Sequence, residues 1–188
     1  MLVTIVAKTR MGSGACIGGI TADGQSVRLI APDMSFNAHF NLDYEVGDVW
    51  EIEAEPPDDI QPPHTENIVV RRKRCVGRAK DLTGLIMRHM PPREGGLETL
   101  HDGLTQGQAG GPLYVAERTG VPTFSTMFWR PDRPLVRDTA GKRIRYRYPT
   151  EDGGRTLTFI GFQEPPETLP TGSIVRVSLA HWWHPVEH

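Results

Sequence analysis

After Lys142, residues Arg143, Ile144, Arg145, Tyr146, Arg147 and Tyr148 alternate strictly between cationic and apolar side chains. On a strand such alternation sends Arg143, Arg145 and Arg147 to one face and Ile144, Tyr146 and Tyr148 to the other. A row of guanidinium groups suits a phosphate backbone, and tyrosines either fill a core or stack on bases. Here the tyrosines are assigned to the core. A second set, His64, Glu66 and Asn67, has acid/base character, since histidine titrates near neutrality and a carboxylate can orient it. No nucleophile stands beside that set. Histidine and asparagine after a proline-rich loop commonly bond backbone groups where a strand begins, so a structural role is expected and no catalytic residue is assigned.

His181, Trp182, Trp183, His184 and His188 crowd the last eight positions. Histidines at that spacing hold a metal only on a helix, and Pro185 breaks one, so no metal site or cofactor is implied. The tryptophans are read as packing groups. Cys16 and Cys75, far apart and without a nearby pair, are expected to be buried free thiols of a reduced compartment. No stretch is long and apolar enough for a membrane span and no leader-like start is visible, so the chain reads as soluble and cytoplasmic.

Charge is uneven along the 188 residues. Positions 1–66 hold three basic residues against eleven acidic ones, whereas 67–188 hold eighteen basic and twelve acidic. Two clusters, 71–93 and 130–147, account for most of the basic excess. Asymmetry of this kind points to a polyanion-binding surface. Four consecutive cations, Arg71, Arg72, Lys73 and Arg74, cannot all face one side of a strand, and the run reads as a solvated edge.

Sixteen prolines and twenty glycines punctuate the chain into short elements. Strands are expected at 1–8, 15–21, 26–31, 47–54 and 67–72, the second and third joined by a hairpin turn at Asp23-Gly24. An irregular or helical crossing lies between the third and fourth. Asp81 is the expected N-cap of a helix reaching Met90, stopped by Pro91-Pro92. Residues 93–112 read as a glycine-rich loop, and five more strands are expected at 113–116, 123–129, 142–148, 156–162 and 173–180. Three strands, a crossing and two strands is the order of an OB-fold, a five-stranded Greek-key barrel. The expected fold is mostly β. It has two OB-like five-stranded barrels packed together, at 1–78 and 113–188, with one short helix and a connection at 79–112.

Particular segments sharpen this. Lys8-Thr9-Arg10, then Cys16-Ile17-Gly18-Gly19, then Val27-Arg28-Leu29-Ile30, then His64-Thr65-Glu66-Asn67 after Gly47–Glu51, resemble the signature segments of the bacterial dual OB-containing domain family. In that family a Lys-Ser-Arg-like turn precedes a Cys-Ile-Ala-Gly strand and a Trp-Ile-Arg strand. This chain departs from it with Thr9 for serine and Val27 for the aromatic. The resemblance implies two OB-folds and a nucleic-acid-binding role, and it carries no catalytic residues.

The leading expectation is therefore a non-catalytic nucleic-acid-binding protein, with single strands favoured. Its contacts would be Lys8, Arg10, Arg28, Arg130, Arg133, Arg143, Arg145 and Arg147. The alternative is a protein-interaction module that docks a partner enzyme through the acidic first third or the terminal tryptophans. A third reading is a small hydrolase using His64 and Glu66.

Overall fold

The computed structural model describes residues 1–33 and 38–180. The readings placed on the terminal histidines and tryptophans, 181–188, lie outside the described residues.

The first half builds a closed barrel from β1 (Leu2–Met11), β2 (Gly14–Thr21), β3 (Ser26–Ile30), β4 (Asp48–Glu55) and β5 (Asn67–Arg78). A helical turn, α1 (Ala38–Asn41), crosses between β3 and β4. The ring runs β1-β2-β3-β5-β4 and returns to β1. All pairs are antiparallel except β3 with β5, whose parallel register sets Arg28 opposite Asn67. That order and the parallel closure match the OB barrel expected from the sequence. Alternation explains the filling. Val3, Ile5, Ala15, Ile17, Val27 and Leu29 point inward with Trp50, Ile52, Val70 and Tyr44. The turn at Asp23-Gly24 forms as expected, with Gly24 at φ +89°, a region that favours glycine.

Helix α2 (Leu82–His89) follows, and the Asp81 carboxylate accepts from the Gly84 backbone N–H at 2.7 Å. A Cβ at position 84 would lie 2.8 Å from the Asp81 Cγ, so the glycine that weakens the helix by propensity is also what admits its cap. Leu82, Leu85 and Ile86 of α2 meet Val6 and Ile20 of the barrel and Phe128 and Ile174 of the second half. The helix is thus packed into both halves.

The second half carries more strands than expected, and they are shorter. These are β6 (Arg93–Gly95), β7 (Thr105–Gly107), β8 (Leu113–Val115), β9 (Thr126–Pro131), β10 (Leu135–Asp138), β11 (Arg145–Tyr148), β12 (Arg155–Thr158), β13 (Thr168–Leu169) and β14 (Val175–Ser178). They form a four-stranded sheet β12-β11-β10-β13, a three-stranded sheet β14-β9-β6 and the hairpin β7-β8. Among the described residues, hydrogen bonds close a full ring only in the first half. The glycine-rich stretch is not all loop, because β6 pairs in parallel with β9 and β7 pairs with β8. Trp129, Tyr146, Tyr148, Leu135, Leu100 and Met127 make this half's core. The two tyrosines are therefore core residues, as expected. Trp129 is fully buried and donates its indole N–H to the Gly95 carbonyl at 2.9 Å, so it presents no face to a ligand.

No helix among the described residues is long and apolar enough to cross a membrane. Both cysteines are free, but only Cys16 is buried. Cys75 is exposed on β5, where it pairs in register with Trp50 of β4.

Candidate nucleic-acid interface

The signature segments, scattered over sixty residues of sequence, meet along one seam between the two halves. Every residue of β2 is buried. Its odd positions fill the barrel, while the even ones face the second half. Ile20 joins the α2 cluster, and Gly18 underlies the guanidinium of Arg176 from β14. Arg28, on the outward face of β3, is only 2 % exposed, and its Nε donates to the Asn67 Oδ1 at 2.6 Å. Glu66, also buried, accepts from the Ser125 backbone N–H at 3.2 and 3.3 Å and from the Ser125 hydroxyl. The Thr65 hydroxyl donates to the Thr123 carbonyl at 2.6 Å. At the far end of the seam the Arg10 N–H donates to Ile160, and Thr9 bridges Gly161.

A Cβ at position 18 would sit 2.7 Å from the Arg176 Cζ. Burial disfavours the charge of Arg176 and nearby Arg28 adds to that, whereas Glu66 and Cys16 act in the opposite sense. Displacing this guanidinium separates it from Glu66. Gly18→Ala is expected to lower stability by about 1–3 kcal/mol, read as a lower urea midpoint with unchanged slope.

The eight expected contact residues have different fates. Arg28 is inside the seam and cannot reach a ligand, because the second half covers the face on which it stands. Lys8 is nearly buried, bonded to Glu45 at 2.8 Å and to the Leu42 carbonyl. Arg130 pairs with Glu94 at 2.5 Å. Arg147 pairs with Asp138 at 2.7 Å yet keeps half its side-chain surface open. Arg133 is exposed over the Tyr148 ring and donates to the Pro149 carbonyl. Arg145 lies beside Arg147 on the outward face of β11, as the alternation demands. Arg143 is exposed but precedes the strand, so the row of three becomes two strand residues and one turn residue. Arg10 is exposed, with no carboxylate partner among the described residues.

Charge segregation along the sequence largely disappears in space. Antiparallel pairing of β4 with β5 sets Glu51 opposite Arg74 and Glu53 opposite Arg72. Ion pairs join Arg71 to Glu55, Arg72 to Glu53, Arg74 to Glu51 and Arg78 to Asp48. Lys73 points the other way, to Asp43 and the rings of Phe40 and Tyr44, 4.2 and 4.1 Å from their centroids. The run 71–74 is therefore matched to the acidic first third and not a lone solvated edge. By contrast, 138–147 carries Lys142, Arg143, Arg145 and Arg147 against Asp138 alone. Asp138 is held below the usual carboxylate range by hydrogen bonds from Arg147 and the Ala140 N–H.

His64 and Glu66 do not form an acid/base pair open to substrate. Both are buried, and the Ser125 hydroxyl that meets Glu66 directly has no exposed surface. A cleft of about 440 Å³ opens over Glu66 and Thr65, bordered by Arg93, Phe124, Thr126 and Met127. Behind Phe124 lies His101, 1 % exposed, at φ +47°. Among the described residues no group of three His, Cys, Asp or Glu is placed to hold a metal ion. Sequence reasoning missed Ser125, Arg176, His101 and Phe162. The first three stand alone in unremarkable contexts. Phe162 is the last residue of the strand expected at 156–162, whereas β12 stops at Thr158.

The model of the dual OB-containing domain family matches residues 1–188. No curated protein matches the chain.

Proposed function

The chain belongs to the dual OB-containing domain family, and from that premise we propose that it binds nucleic acid without catalysis, through phosphate contacts made by the β10–β11 hairpin. One observation carries the reading. The cations of 142–147 outnumber their local carboxylates four to one, whereas those of β5 are matched across the strand pair. Alternate strand residues stand about 6.6 Å apart, so Arg145 and Arg147 can meet successive phosphates while Tyr146 and Tyr148 stay in the core. The OB face formed by β2 and β3 is closed by the second half, which leaves the hairpin and Arg10 as the accessible cations favoured here. Arg28 takes no part in contact, and Lys8 and Arg130 are secondary.

The test is titration of labelled single-stranded and duplex oligonucleotides at low and high salt. The triple variant Arg143→Ala/Arg145→Ala/Arg147→Ala is expected to bind single strands at least about tenfold more weakly. The slope of log affinity against log salt should flatten by roughly 2. Absence of binding by the unaltered protein at low salt overturns the reading. Unchanged binding by the triple variant overturns the assignment to this hairpin.

A further inference from the structure

We propose that Phe162, together with Arg10, is a stacking platform for an unpaired base, which makes single-stranded nucleic acid the preferred partner; this rests on the nucleic-acid reading above and deepens it. Phe162 is a large aromatic left 40 % exposed, unlike Trp129, Tyr146 and Tyr148, whose rings are buried. Two cations of β1 approach its ring, the Arg10 Cζ at 5.0 Å and the Lys8 Nζ at 5.4 Å from the centroid. Lys8 is held by Glu45 and the Leu42 carbonyl, so its charge is matched. Arg10 has no carboxylate among the described residues and is free to meet a phosphate next to the stacked base.

The position is built by the backbone. The Arg10 N–H donates to the Ile160 carbonyl at 2.6 Å, and Thr9 bridges Gly161 in antiparallel fashion. The segment carrying Phe162 is thereby fixed against β1, close to the exposed turn at Gly12 and Ser13 that joins β1 to β2. In OB-folds that loop borders the oligonucleotide site. The same segment continues from β12, which pairs Thr158 with Arg145 and Thr156 with Arg147, and the Phe159 N–H donates to the Ile144 carbonyl. A strand following the arginines of β11 along this sheet edge is led past exposed Ile144 and Ile160 to Phe162 and Arg10. A base in a duplex has both faces stacked already, so an aromatic platform engages only a base that is free.

The full chain is titrated with a fluorescein-labelled mixed-sequence single-stranded DNA oligonucleotide and with the same sequence as a duplex. Phe162→Ala is expected to weaken single-strand binding about tenfold, with the salt slope and duplex affinity unchanged, and Phe162→Trp to restore it. The half-exposed ring allows the variant to fold, which the urea midpoint checks. Single-strand affinity within about twofold of the unaltered protein overturns the platform while leaving phosphate binding intact. Equal loss on single strand and duplex also overturns it, since it marks a general disturbance of the seam. If the unaltered protein binds neither oligonucleotide at low salt, the nucleic-acid reading itself falls and the platform with it.

Discussion

Glu66→Ala is expected to cost about 3 kcal/mol of folding stability, a shift of about 1 M in the urea midpoint followed by tryptophan fluorescence. The loss comes from what the carboxylate leaves behind. Ser125 is fully buried, and both its N–H and its hydroxyl donate to Glu66. Without the acceptor, two buried donors lose their bonds, at about 1–3 kcal/mol each, less whatever relaxation recovers. The same substitution removes the anion that favours the charged form of Arg176, next to Arg28. Glu66→Gln keeps an acceptor and should cost roughly half as much. Because Glu66 lies in the first half and Ser125 in the second, the loss should appear in one cooperative transition. A midpoint unchanged within error for Glu66→Ala would show that the seam is held by its apolar contacts alone.

Stability is also expected to fall by about 3 kcal/mol as pH drops from 7 to 4, over and above the change in His101→Asn. Burial among Leu100, Met127 and Phe124 pushes the His101 imidazole down to about 4, and Arg93 pushes the same way. Asp102, Glu66 and the Phe124 backbone oppose the shift without overcoming it. The folded pKa thus lies below the ordinary unfolded value of about 6.5. Between those two values the unfolded chain takes up a proton that the folded one refuses. The contribution is fully present above pH 6.5, declines as pH falls toward 4 and changes little below that. Asparagine is the suitable replacement because it tolerates the positive φ at this position, whereas a β-branched residue does not. Urea titrations of both proteins at several pH values measure the difference. Parallel curves would mean that His101 takes up its proton over the same pH range folded as unfolded, and that burial does not hold it neutral.

Local chemistry made the first barrel legible. Asp23-Gly24 announces its turn, the apolar and polar alternation of 48–54 announces a half-exposed strand, and Asp81 before Leu82 announces a cap. The second half was harder. Its strands β6, β7 and β13 have two or three residues each, too few for a period to show, and they exist because β9, β8 and β10 offer hydrogen bonds. The site was partly legible. The alternation at 145–148 fixed which side chains face out, but not how much of their charge would remain. A linear charge count cannot see register, and register is what sets Glu51 and Glu53 against Arg74 and Arg72. Nor can it see cover. Arg28 looks outward on its strand and is buried only because β14 and the segment around Ser125 lie over that face. Phe162 stands at the end of an expected strand, but β12 stops at Thr158 and the following residues turn toward β1, a departure that alternation cannot show.

Burial of β2 on both sides has an evolutionary reading. A barrel whose outward strand face is as apolar as its inward one does not survive transfer to another context, since separated from its companion it would present that face to water or to other copies of itself. The heritable unit is then the pair. A substitution in one half is constrained wherever that half writes its side chains into the other, as at Gly18 beneath Arg176 and at Glu66 beside Ser125.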